Sequence, residues 1–337
     1  MNPQQFLTLL DLTKRKGTDA AIGLVEEVVA YAPEIEKILG RPIRGTYTTA
    51  RIRPLLTAGG AFRKANAGAL NGASVYDERR FNTFFFDSPL MVDEAIARAA
   101  EAEGDSLALL QAEEAEGAIR AKAIQLGKQL YAGHAIDPLG PPGLIDYFNT
   151  FSNIIDQRTN AALNLSVTAG GASATCEICW YIWMHPQGVG FLFGGDQGID
   201  IKPWTQQRVA DPNDPAKSLS AWITNLSGFI GVAAASPFSI GIIKNIDNAA
   251  GVHPLTDALM AQLEALFPVG QLPNLVLMSR ATRYGLQKSR TVTLFGNMDV
   301  PTSRNSGASG LIAPVPTTTA SGIPIVVTDS ILVGNNF

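Results

Sequence analysis

Cys176 and Cys179 are the only cysteines of the chain, and a Cys-x-x-Cys pair can ligate zinc or cycle as a redox couple. A structural zinc site needs four ligands. No second pair exists, and the three histidines, His134, His185 and His253, are scattered along the sequence. A redox pair needs a helix N-terminus to depress a thiol pKa. Here Cys179-Trp180-Tyr181-Ile182-Trp183 has the composition of a strand interior, where positions three apart point to opposite faces. The pair is expected to be buried, structural and reduced, as in a cytosolic product.

Other candidates are weaker. His134 or His185 with nearby carboxylates would make a hydrolase, but no Gly-x-Ser-x-Gly elbow is present and nothing fixes a histidine beside a serine. Gly194-Gly195-Asp196-Gln197-Gly198 is glycine-rich, yet no Lys-Ser/Thr follows it, so it is expected as a turn between strands rather than a phosphate loop. No cofactor, metal or catalytic residue is expected.

The strongest pattern is a sorting of charge. Residues 41–80 carry Arg41, Arg44, Arg51, Arg53, Arg63, Lys64, Arg79 and Arg80 against Asp77 and Glu78, a net of +6. Residues 87–117 carry Asp87, Asp93, Glu94, Glu101, Glu103, Asp105, Glu113, Glu114 and Glu116 against Arg98 alone, a net of −8. The whole chain is only −4. Two surfaces of opposite sign are expected to meet, between copies if not within one molecule. A nucleic-acid surface is the competing reading of the basic segment. It is disfavoured because no reader motif occurs and an anionic stretch follows directly.

Positioning these charges falls to a recognisable series of elements. Phe6, Leu9 and Leu10, then Ile22, Val25, Val28 and Val29, predict two short helices in a 1–40 arm. Thr46–Arg53 alternates and is β-branched, and Ser74–Phe86 runs extended, predicting a two-stranded excursion within 41–90 with no core of its own. Residues 92–102 predict a short helix. Residues 105–131 predict a long one with Ala115, Ile119, Ala123, Leu126 and Leu130 on its face and Gly133 just past its end. A proline-rich connector, His134–Leu144, then leads to a mostly β region. Its expected strands are 163–168, 176–184, 189–193, 229–235 and 274–279, and its expected helices 256–267 and 280–288. A terminal strand is expected over Ile323–Thr328.

This order, with several local matches, resembles the major capsid proteins of tailed bacteriophages with the Hong Kong 97-type fold, in a podovirus-like subfamily. Leu9-Leu10-Asp11-Leu12 with Lys14-Arg15 is similar to that subfamily's opening, and Phe62-Arg63-Lys64-Ala65-Asn66-Ala67-Gly68 to its Arg-Lys/Arg-x-Asn-x-Gly loop element. Leu130-Tyr131-Ala132-Gly133-His134 matches the end of its long helix. Cys179–Trp183 followed by Val189-Gly190-Phe191-Leu192 is similar to its strand-turn-strand signature, and Gly322–Ile325 leading to Asp329–Leu332 to its terminal strand. His134 departs from the usual Asn, and 203–217 diverges.

The resemblance implies an α+β fold: an arm (1–40), an extended loop (41–90), a peripheral domain (91–165) with a spine helix, an axial domain (166–310) and a returning C-terminal strand (311–337). It implies a virion shell of hexamers and pentamers around double-stranded DNA held without sequence specificity, assembled in host cytoplasm. In that family the loop lies over the peripheral domain of a neighbour. The eight cations of 41–80 would then face Asp93, Glu94, Glu101, Glu103, Glu113, Glu114 and Glu116 of another copy. A separate scaffolding protein, a portal and a decoration or cement protein are the implied partners. No motif extends a Lys–Asn cross-link to Lys64.

Composition agrees with such a role. Hydrophobic residues make up 46% of 337 and charged residues 17%, so much of the surface must be apolar or neutral and available for burial against partners. No run approaches the length of a membrane-spanning helix, and Met1–Leu12 lacks the basic flank and cleavage site of a signal peptide.

Overall fold

The computed structural model describes residues 30, 32–56, 62–68, 72–102, 104, 106–156, 161–211, 216–248, 253–290 and 315–331. The two helices expected in the arm, Glu103, Asp105 and most of the Thr- and Ser-rich stretch after Thr291 lie outside them.

The described chain begins with a one-turn helix, α1 (Glu34–Lys37), and a short strand, β1 (Gly40–Ile43). β2 (Tyr47–Leu55) and β3 (Val75–Asn82) pair antiparallel, with Tyr47 opposite Asn82 and Arg51 opposite Glu78. Their register shifts between Ile52 and Leu55, where Pro54 offers no amide proton to the ladder. After Thr83 the chain continues as β4 (Phe84–Asp93), then α2 (Glu94–Ala102) and the long α3 (Leu107–Ala132).

α3 is the expected spine. Ser106 caps it, accepting from the Leu109 amide at 3.2 Å, and Gly133 ends it at φ 52°. Its 26 residues span about 39 Å. The expected face is only partly buried: Ile119 is 43% exposed, and burial concentrates at the C-terminal end, from Gly127 to Ala132. The helix reaches the main core with its last turn and a half, and near its other end Leu110 is buried in a second cluster with Val92, Ile96, Ala97 and Ala100.

Beyond the spine a 3-10 turn (Gly133–Ala135) leads to α4 (Leu144–Phe151), β5 (Ile155–Asp156), β6 (Ala161–Ala162) and β7 (Ser166–Thr168). The rest comprises β8 (Glu177–Ile182), β9 (Val189–Ile201), β10 (Thr205–Ala210), β11 (Ser218–Ala234), β12 (Ile240–Ile246), α5 (Asp257–Leu266), β13 (Leu275–Met278), α6 (Arg280–Ser289) and β14 (Ile325–Val327).

Two five-stranded sheets organise these elements. The first runs β1-β9-β11-β10, with β4 paired along the other edge of β11; the second runs β14-β13-β8-β12-β7. In the second sheet β8 and β13 are buried at every position, which explains the apolar runs Ile178–Ile182 and Leu275–Met278. The main core joins this sheet to the end of the spine and to the first sheet: Trp180, Ile242, Val276, Leu130, Phe191 and Val232 belong to one cluster. Tyr131 and Trp180 meet with ring centroids 5.9 Å apart.

The glycine run at 194–198 is not a turn between strands. β9 continues through it to Ile201, and the slack appears as a bulge: Gly194 opposes Phe229, while the adjacent Gly228 opposes Ile199. Gly195, at φ 74°, adopts the backbone conformation the bulge needs.

Candidate functional site

Pairing register decides which way each hairpin cation points. Directly opposed residues share a face, so Tyr47, Thr49, Arg51, Glu78, Arg80 and Asn82 line one side and Thr48, Ala50, Ile52, Asp77, Arg79 and Phe81 the other. The first side is exposed. Arg51 and Arg53 lie 5.8 and 5.2 Å from the centroid of the Tyr76 ring, and Arg80 lies 4.0 Å from that of Tyr47. Stacking on rings orients these guanidiniums while leaving them in solvent.

The opposite side faces the body of the molecule. Phe81 is buried, 6.1 Å from the Tyr147 ring, whose hydroxyl donates to the Val232 carbonyl at 2.7 Å. Arg79 donates to the carbonyl of Ala235 and lies over the Phe151 ring. Of the cations expected to contact a neighbour, Arg79 is thus engaged inside its own chain. At the base of the hairpin the amide and hydroxyl of Thr83 both donate to the Thr46 carbonyl, at 2.8 and 3.0 Å.

Near the tip, Arg63 donates to the Ala67 carbonyl at 2.7 Å, and the Ala67 amide donates to the Lys64 carbonyl at 3.2 Å. Asn66 sits between them at φ 64°, a conformation asparagine tolerates better than most residues. The turn presents Lys64 and a fully exposed Phe62. Arg44 is exposed, and Arg41 lies half-buried beside Leu39 and His185 in a shallow recess.

The acidic set is less uniform than its charge suggests. Asp93 accepts from the Ala95 amide at 2.9 Å at the start of α2. Glu94 pairs with Arg98 one turn on, and hydrogen bonding from Ser220, more than Arg98 itself, lowers its pKa. Glu113 and Glu114 already have interactions within the chain, as does Arg120. Glu101 and Glu116 are exposed, and Glu103 lies outside the described residues.

The alternative chemistry finds little footing. His134 Nδ1 is 3.2 Å from Asp146 Oδ2, but the same oxygen accepts from the Gly143 amide at 2.9 Å and the His134 amide at 3.3 Å, closing the turn before α4. His185 stacks on Trp183 with centroids 4.5 Å apart, and its Nδ1 accepts from the Gln187 amide at 3.2 Å. Cys176 and Cys179 are free and buried, and burial pushes the Cys179 thiol far up. Among the described residues no cluster of His, Cys, Asp and Glu can hold a metal ion, and no helix is long and apolar enough to cross a membrane.

No family model matches the sequence, and no curated protein does either. The fold does find relatives. A structure of bacteriophage Epsilon15, derived from cryo-EM and modelling, superposes with a TM-score of 0.69 at 15% identity, covering 98% of this chain and 96% of that one. The chain has a Hong Kong 97-type fold. A bacteriophage JBD30 capsid chain is also similar, with a TM-score of 0.48, 11% identity and coverage of 96% and 99%. A capsid chain of the native GTA particle gives a TM-score of 0.43 at 9% identity, over 65% of this chain and 92% of that one. A long helix, a two-stranded hairpin and a C-terminal strand stand where the sequence placed them, as α3, β2–β3 and β14.

Proposed function

We propose that this chain is a major capsid protein of a tailed bacteriophage, a structural rather than catalytic subunit that self-assembles into hexamers and pentamers of an icosahedral shell around double-stranded DNA. The observation that carries the reading is the hairpin. It presents three ring-stacked arginines on one exposed face and a fully exposed Phe62 near its tip, and among the described residues no second layer covers that face. A two-stranded ribbon packed on one face only is marginal in water, and a neighbouring copy is the occupant that would complete its outward face.

In this reading the hairpin crosses the α2–α3 surface of the next subunit, where Glu101 and Glu116 are the exposed acids among the described residues. Charge sets register, and apolar burial supplies affinity. The arm, loop, peripheral, axial and C-terminal divisions are proposed with the boundaries 1–40, 41–90, 91–165, 166–310 and 311–337. A separate scaffolding protein, a portal and a decoration or cement protein are the proposed partners. The virion is the proposed location, reached from host cytoplasm.

Negative-stain electron microscopy of the purified chain beside sedimentation velocity tests this. Closed shells, tubes or capsomer rings are expected. A species that stays monomeric or dimeric with scaffold supplied would overturn the proposal.

A further inference from the structure

Glu34 is fully buried at the start of α1, and among the described residues neither carboxyl oxygen makes a well-formed hydrogen bond. The Tyr131 hydroxyl and Ser330 Oγ, also buried, likewise make no well-formed hydrogen bond among the described residues. Three distant stretches converge here: α1, the last turn of the spine, and the segment after β14. The convergence is close. A methyl group on Gly127 of the spine would collide with both Glu34 Oε1 and Ser330 Oγ, so the carboxyl occupies space that only glycine leaves open. Ile38 and Ile331, on either side, enter the main core.

A charge in this position would be costly. Burial without a cation partner disfavours a carboxylate strongly. Among the described residues the titratable and charged groups facing Glu34 are Tyr131 from the spine and Asp329 from the C-terminal segment, and Asp329 lies 3.8 Å from Arg280. We propose that Glu34 is a protonated latch: its neutral carboxyl joins α1, the spine and the C-terminal segment, and its ionisation loosens all three together. Burial, the dominant effect, holds the carboxyl above its ordinary range, Asp329 adds to this, and the hydroxyls of Ser330 and Thr328 oppose it.

A raised carboxyl contributes stability that is complete below its unfolded-state pKa and is lost as pH rises through its folded-state pKa. The attachment is therefore tightest in acid and loosens toward neutrality. This concerns contacts within one chain and stands whether or not the chain forms shells.

Hydrogen exchange over residues 32–38 and 325–331, compared between the full wild-type chain and Glu34→Gln from about pH 4 to about pH 8, is the test. The ratio of wild-type to variant opening is expected to be smallest at the acid end. It should then climb by up to about tenfold per pH unit before levelling. A ratio that stays flat across the range would overturn the latch. Should the variant fail to fold, infrared spectra of the wild-type chain decide. A carboxylic-acid carbonyl band persisting above about pH 6, where ordinary carboxylates are ionised, supports the proposal, and its absence overturns it.

Discussion

The guanidinium of Arg79 lies 4.9 Å from the centre of the Phe151 ring. With its hydrogen bond to the Ala235 carbonyl, this contact fastens the base of an otherwise exposed hairpin to α4 and the end of β11. Arg79→Ala is expected to raise hydrogen exchange across Val75–Asn82, at a local cost of about 1–2 kcal/mol, from the lost ring contact and hydrogen bond. Unchanged protection would assign the anchoring to Phe81 instead.

Arg51 and Arg53 belong to the outward face, so reversing them should spare the fold and harm association. The double variant Arg51→Glu, Arg53→Glu is expected to stay folded at a cost of about 1–2 kcal/mol, from like charge opposite Glu78 and the lost Tyr76 contacts. Its assembly, followed by sedimentation, should be severely reduced. Normal shells from this variant would sink the docking role of the hairpin.

Two effects compete at Gly127. Alanine is favoured over glycine inside a helix by about 1 kcal/mol, whereas overpacking a filled site costs about 1–3 kcal/mol. Because the methyl meets Glu34 and Ser330 in a buried cluster, Gly127→Ala is expected to lower the thermal midpoint. A raised midpoint would mean that the carboxyl moves aside easily.

The thiols should be inert in the folded chain. Cys179 is fully buried, Cys176 is 2% exposed, and burial raises the Cys179 pKa. A thiol reagent at about pH 8, near the pKa of a free thiol, is expected to label neither cysteine in native protein and both after denaturation. Rapid labelling of the native chain would contradict the buried assignment.

Much of the frame was legible because strong periodicity and punctuation marked it. The spine was expected at 105–131 and runs from Leu107 to Ala132, between Ser106 and Gly133. β13 and α6 follow the expected strand-then-helix order closely. The misses have physical causes. α4 has glycine where a Ser or Asp cap would announce a helix, and Asp146 supplies the capping oxygen from inside. β10 is a largely exposed edge strand, Thr-Gln-Gln-Arg in its first four positions, and shows no apolar alternation. The full length of β9 was hidden because a bulge and a turn use the same glycines. In the charged hairpin, composition located the cations, but only the pairing of Ala50 with Arg79 and of Arg51 with Glu78 separates the inward from the outward ones.

Mechanically, the hairpin is a cantilever. β3 passes into β4 with only Thr83 between them, and all ten residues of β4 are paired to β11. The nine residues of β2 give the ribbon a length of about 30 Å. A rotation of roughly 10° at Thr83 would therefore carry its far end about 5 Å, given that strand length. Thr83 is packed too tightly to swing alone, since Gly194 and Gly231 have no room there for a side chain. A load applied at Phe62 is accordingly delivered to the sheet as torque, through β4 and into β11.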